Sequence, residues 1–135
     1  MPTRVLGWLG GVLVVGGLAH AVGVLWFYSE QGLPDANRVL LDIWVGEAQI
    51  IGGSFYLSAY RGHRAGSTWR APAIAGAVTI LSFVVPFLPV LFARAPVILF
   101  VPQLVYGVAS FAVLVRAASA RHPPAATSGS IDAAF

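Results

Sequence analysis

The sequence predicts an all-α, membrane-embedded four-helix bundle, and three observations lead there. Hydrophobic residues make up 58 % of the chain and charged residues only 10 %, against about 25 % charged residues in a soluble domain. Four apolar segments, residues 5–28, 39–60, 71–93 and 97–118, each come close to the ~20 residues a helix needs to cross a ~30 Å hydrocarbon core. Finally, the arginines are confined to the segment ends and the breaks between them, with a strong bias to alternate breaks.

Each apolar segment is expected to be a helix, because in lipid every backbone donor and acceptor must be satisfied within the segment. The first follows Arg4. It is long enough to span, and residues 23–27 make a poor cleavage site, so it is read as a retained span and not a signal peptide. A polar break at residues 29–38 separates it from the second segment, and residues 61–70 separate the second from the third. Only residues 94–96 join the third to the fourth, which makes that pair an antiparallel hairpin. The domain is therefore expected to cover residues 1–118. Residues 119–135, rich in Ala, Ser and Pro, read as a disordered tail.

Orientation follows from the basic residues. Arg4, Arg61, Arg64, Arg70, Arg116 and Arg121 belong to one side, and Arg38 and Arg94 to the other. By the positive-inside rule both termini are expected on the cytoplasmic side. Trp8, Trp26, Tyr28, Tyr60 and Trp69 fall near segment ends, where aromatic anchors belong. The arginines form no continuous basic stripe, so nucleic acid is not an expected partner. The absence of cysteine excludes disulfides, thiolate catalysis, Cys-ligated zinc and iron–sulfur clusters.

Within the spans, Gly16, Gly17, Gly52, Gly53 and Gly76 are expected to permit close helix approach. Pro86 and Pro89 should kink or shorten the third helix, and Pro102 should act similarly early in the fourth. The ionisable residues His20, Asp42 and Glu47 carry the functional expectation, because such groups are costly inside a bilayer. Asp42 lies about one turn inside its segment and reads most simply as a solvated or capping carboxylate. Glu47 lies about 12 Å deep at 1.5 Å per residue, and His20 lies at a matching depth on the preceding helix. Gln103 and Tyr106 fall in the same layer, with Ser82 near it. A buried Glu beside a buried His forms a proton donor and acceptor pair. The competing reading is an interhelical tie, although such pairs contribute only about 0.6 kcal/mol. One His and one deep Glu make neither a zinc shell nor a haem axial pair, so no metal or cofactor is expected.

These residues resemble the EXPERA family, the four-helix membrane proteins that include the emopamil-binding sterol isomerase and the sigma-two receptor. The resemblance rests on His20 followed by Leu33 and Pro34, Glu47 followed by Tyr60 and Trp69, the run from Arg70 to Ile74, Pro102, and Arg116, and it spans residues 5–118. It implies a bundle with a ligand cavity between helices. Glu47 would contact a cationic ligand or carbocation, and His20 would be its partner. Further candidates for the ligand-contacting set are Trp44 and Tyr106, as cation–π faces, with Gln103, Asp42 and Ser82. An additional acid near the end of the first helix, present in sigma-two-type members, is missing, since that region reads Trp26, Phe27, Tyr28 with Glu30 beyond. A weaker resemblance runs to DoxX-like bacterial membrane proteins, some of which are subunits of membrane oxidoreductases.

The composition, rich in Ala, Val, Gly and Arg without Lys, is that of a GC-rich bacterium and points to its inner membrane. The expected function is intramembrane binding of a sterol- or isoprenoid-like molecule, with isomerisation or cyclisation by proton transfer between Glu47, His20 and substrate. The alternatives are a non-catalytic subunit of a membrane complex and, last, a small transporter, for which a homodimer would have to complete the pathway.

Overall fold

In the computed structural model, the described residues, 3–32, 36–94 and 97–120, form four helices and no strand: α1 Thr3–Gln31, α2 Ala36–Arg64, α3 Arg70–Arg94 and α4 Val97–Ser119. The all-α architecture is as expected, and each helix contains the apolar segment that predicted it. Leu33, Pro34 and the tail from Arg121 onward lie outside the described residues, as do the side chains of Arg38, Pro89 and Arg94. Helix α3 continues through Pro86 and Pro89, and α4 through Pro102, so the prolines do not shorten the helices they interrupt.

Polar groups at the helix ends explain where the chain turns. Helix α2 closes in a Schellman arrangement: the Ser67 N–H donates to the Gly62 carbonyl at 2.9 Å and the Gly66 N–H to that of His63 at 3.3 Å. Gly66 takes φ 69°, a left-handed value that a Cβ disfavours. The Ser67 hydroxyl also donates to the Gly62 carbonyl, at 3.0 Å. Gly32, at φ 81°, follows the end of α1 in the same way. At the start of α3, Arg70 Nε donates to the Ala117 carbonyl at 2.9 Å. A guanidinium thus meets the negative end of the α4 dipole and satisfies a carbonyl with no helical partner.

Packing runs α1 on α2, α2 on α3 and α3 on α4; no comparable contact joins α1 to α4 among the described residues. The closest approaches are glycine on glycine. A Cβ on Gly10 would lie 2.8 Å from the Gly53 carbonyl oxygen, and one on Gly17 would lie 2.6 Å from that of Gly46. Gly52 and Gly76 make a looser version between α2 and α3, where a Cβ on Gly76 would meet the Gly52 oxygen at 3.0 Å. Gly10 to Gly17 is one heptad, as is Gly46 to Gly53, so the antiparallel pair repeats its contact along one seam. The expected role of Gly17, Gly52, Gly53 and Gly76 in close packing is met; Gly16, expected with them, has neighbours only at ordinary contact distance, and Gly10 and Gly46 are partners the expectation did not include. The remaining core is built of small residues, Ala59, Ala73, Ala77 and Ala117, around Leu6, Leu13, Tyr56, Ile80 and Val113.

The outward faces of α1 and α4 are apolar. Trp8, Val15, Val22, Leu25 and Trp26 are exposed on α1, as are Val105, Val108 and Phe111 on α4. Helix α1 and residues Val101–Ser119 of α4 are long and apolar enough to cross a membrane. Exposed hydroxyls in these surroundings bond back to their own helix: Ser54 Oγ donates to the Ile50 carbonyl at 2.7 Å, and Ser82 Oγ to that of Thr79 at 2.9 Å.

The glycine seam predicts substitutions of opposite sign. Gly17→Ala drives a methyl into the α2 backbone and should destabilise the protein by about 1–3 kcal/mol. A Cβ on Gly11 would meet nothing within 4 Å, so Gly11→Ala should be neutral or stabilising by up to ~1 kcal/mol. Thermal melts in one detergent check both.

Candidate functional site

The glycine seam sets which polar residues meet. Three residues beyond Gly17, His20 arrives beside the first turns of α2, and its Nε2–H donates to the main-chain carbonyl of Asp42 at 2.8 Å. Tyr28, two turns further along α1, donates its hydroxyl to Asp42 Oδ2. Asp42 is half-buried and Tyr28 buried. Together with Gly23, Val24 and Phe27 these three side chains line a cavity of about 250 Å³. Asp42 was expected as a solvated or capping carboxylate and Tyr28 as an interface anchor. In the structure their hydrogen bond ties α1 to α2.

Glu47 does not join this cluster. One residue past Gly46, it sits about 100° round the helix from the seam. It is exposed, on a side of α2 shared with Trp44, Ile51, Ser54 and Ser58. Among the described residues it makes no hydrogen bond or ion pair. The expected Glu47–His20 pair is therefore not formed, because the two side chains leave their helices in different directions. Trp44 stands on the exposed side and meets Phe83 edge to face at 6.0 Å. Ser82 is exposed with its hydroxyl donor used within α3. Gln103 is half-buried and lines neither the cavity above nor the one described next.

The larger cavity, about 790 Å³, lies along the opposite half of α1. Gly7, Trp8, Gly11, Val12, Val15 and Gly16 form its floor and rim, Leu57 and Tyr60 of α2 form one wall, Tyr106 of α4 stands at its deep end, and Arg4 is at its mouth. Trp8, Val12 and Val15 are 75, 46 and 67 % exposed, so the cavity opens sideways where α1 and α4 fail to meet. The α1 glycines are what give it depth. At Gly16 two polar heads converge: a Cβ there would lie 3.6 Å from Gln49 Oε1 and 3.7 Å from the Tyr106 hydroxyl. Gln49 is 5 % exposed, and neither head has a hydrogen-bond partner among the described residues.

Of the expected layer of His20, Glu47, Gln103 and Tyr106, then, the structure places His20 in one cavity beside Asp42, Tyr106 in another, and Glu47 and Gln103 in neither. Tyr28, Tyr60 and Arg4 line the cavities, and Gln49 packs beside Gly16; none of the four is among the expected site residues. Gln49 had a legible signal, since it is an amide one turn from Gly46 and Gly53, on the α1-facing side. A further polar pair, Tyr56 and Ser110, is fully buried between α2 and α4; the two hydroxyls neighbour one another without hydrogen-bonding geometry. No group of three or more His, Asp or Glu side chains suited to a metal exists among the described residues.

Comparison with protein-family models, curated proteins and solved structures returns no match for this chain. What fold and site define is a class: an all-α four-helix chain with two membrane-length apolar helices and a side-opening apolar cavity.

Nuclear magnetic resonance can separate the two acids. Glu47→Gln should leave the His20 ring resonances unmoved, whereas Tyr28→Phe and Asp42→Asn should both shift them. A double-mutant cycle across Tyr28 and Asp42 should give a coupling of about 0.5–1.5 kcal/mol.

Proposed function

We propose that this chain is a multi-pass integral membrane protein, with both termini cytoplasmic, that binds a hydrophobic small molecule in the groove between α1 and α4. The observation that carries the reading is the 790 Å³ cavity, within the range of about 300–1,000 Å³ for small-molecule sites, which are apolar with a few placed polar groups. Its polar side chains are confined to Arg4 and Tyr60 at the mouth and to Tyr106 at the deep end. Its side opening faces the surface that lipid would cover, so a lipophilic ligand would enter from the bilayer without crossing water.

Membrane embedding is supported by the two long apolar helices and by the apolar faces of α1 and α4. Exposed patches of this size are unusual on soluble monomers. The antiparallel order gathers Arg4, Arg61, Arg64, Arg70 and Arg116 at one end of the bundle, which supports that end as cytoplasmic. The membrane is taken to be a bacterial inner membrane on composition alone.

Proton-transfer chemistry is not part of this reading. Isomerisation or cyclisation by Glu47 and His20 needs both at one reacting centre, and their side chains leave on different sides. A second reading, a subunit of a larger membrane complex, is favoured by one observation: Glu47 is exposed on α2 among Trp44, Ile51, Ser54 and Ser58, and a carboxylate facing lipid is costly. It predicts that Glu47→Leu releases a partner that co-purifies with the native protein.

The groove is tested by filling it. Gly11→Phe has room for the ring in the cavity alone, so the melting temperature should hold. Small molecules retained after gentle detergent extraction, measured by mass spectrometry, should fall at least ~10-fold, as expected when an apolar site is filled. Equal retention by native and Gly11→Phe protein would overturn the proposal.

A further inference from the structure

The groove continues past its mouth. A second cavity of about 530 Å³ is lined by Thr3, Arg4, Tyr60 and Arg64, and shares Arg4 and Tyr60 with the first. Resting on the groove reading above, we infer that the ligand is an anionic amphiphile, with a phosphate or carboxylate head between Arg4, Arg64 and Tyr60 and an apolar body laid along α1 from Gly7 to Gly16.

Three independent features converge on a negative head. The two guanidiniums come from different helices, and Arg4 has no carboxylate partner among the described residues. Of the described acids, Glu30 and Asp42 stand at the far end of the bundle and Glu47 on the outer side of α2. Arg64 Nη1 donates to the Tyr60 hydroxyl at 3.3 Å and its guanidinium lies 5.8 Å from the Tyr60 ring centroid. This bond uses the Tyr60 oxygen as acceptor, leaving its O–H to donate to an anion. The cavity also meets α1 at Thr3, the first described residue of the helix, where the dipole favours negative charge. Arginine suits the task because its planar fork can hold two oxygens of a phosphate or carboxylate.

The body has a defined length. From Arg4 to Gly16 is about 18 Å along the helix at 1.5 Å per residue. Over that distance the lining is Gly7, Trp8, Gly11, Val12, Val15 and Leu57. It ends at Gly16 beside the Tyr106 hydroxyl. At Gly11, where a Cβ would meet nothing within 4 Å, a chain can lie against the backbone, and Trp8 stands on the rim beside it. A free inorganic anion would use the mouth but leave this groove empty, so the two sources make different predictions.

The test uses the full chain in nanodiscs of zwitterionic phosphatidylcholine, with bound probe read by native mass spectrometry. Hexadecyl phosphate should bind ~10-fold or more tighter than hexadecanol, the contribution expected of charge-assisted hydrogen bonds. Inorganic phosphate should not bind measurably. Arg4→Gln/Arg64→Gln should reduce hexadecyl phosphate to the hexadecanol level while leaving hexadecanol unchanged. Arg4→Lys/Arg64→Lys, which keeps the charge and loses the fork, should fall between. Equal binding of hexadecyl phosphate and hexadecanol to the native protein would overturn the anionic head and leave the groove standing. Binding of inorganic phosphate as tight as that of hexadecyl phosphate would overturn the amphiphile in favour of a free anion. Binding of neither lipid probe, or hexadecyl phosphate binding untouched by Gly11→Phe, would overturn the groove and this inference with it.

Discussion

The backbone contact of α1 with α2 at Gly10–Gly53 and Gly17–Gly46 is the constraint on which the other placements depend. Side chains any larger than hydrogen are excluded at these four positions, where a Cβ would come within 2.6–2.9 Å of a carbonyl oxygen on the facing helix. The contact is held by dispersion at close range and by the polar ties the approach allows. Two heptad-spaced contacts fix both register and rotation. Register brings His20 to the Asp42 carbonyl. Rotation turns Gln49 toward α1 and Glu47 away from it.

The same contact creates the groove. Helix α1 uses its small residues in two ways: Gly10 and Gly17 lie on the seam with α2, and Gly11 lies open where α4 does not close. A chain of helices packed in sequence order leaves its first and last members free of one another, and here the opening is floored by glycine instead of being filled by side chains. The polar groups then sort by depth, with arginines and Tyr60 at one mouth and Gln49 with Tyr106 near the middle. His20, Tyr28 and Asp42 close the other end. Arg70 ties the start of α3 to the end of α4.

Helices and their order were legible in the sequence because length and apolarity suffice for both. The close-packing role of Gly17, Gly52, Gly53 and Gly76 was legible too, since glycine in an apolar helix has few other uses. The site was less so. Depth counted from the segment ends sets His20 level with Glu47. The Gly17–Gly46 contact instead puts Gly16 opposite Glu47 and His20 about one turn away, and depth says nothing about rotation. Glu47 is one residue from Gly46, and one residue is 100°. The heptad shared by Gly10/Gly17 and Gly46/Gly53 held the missing rotation, but it becomes useful only once the two pairs are known to face each other. Arg4 and Tyr60 read as membrane-end anchors, and nothing local to them signals a cavity, which exists only because a third helix stands apart.

The seam can be observed without substitution. In protein carbon-13 labelled at glycine alone and reconstituted in bilayers, solid-state carbon–carbon correlation spectra report glycines that lie close in space. Sequential neighbours such as Gly10–Gly11, Gly16–Gly17 and Gly52–Gly53 supply the internal control. The account predicts additional cross-peaks joining Gly10 to Gly53 and Gly17 to Gly46. Spectra with the sequential peaks present and both interhelical peaks absent would contradict it.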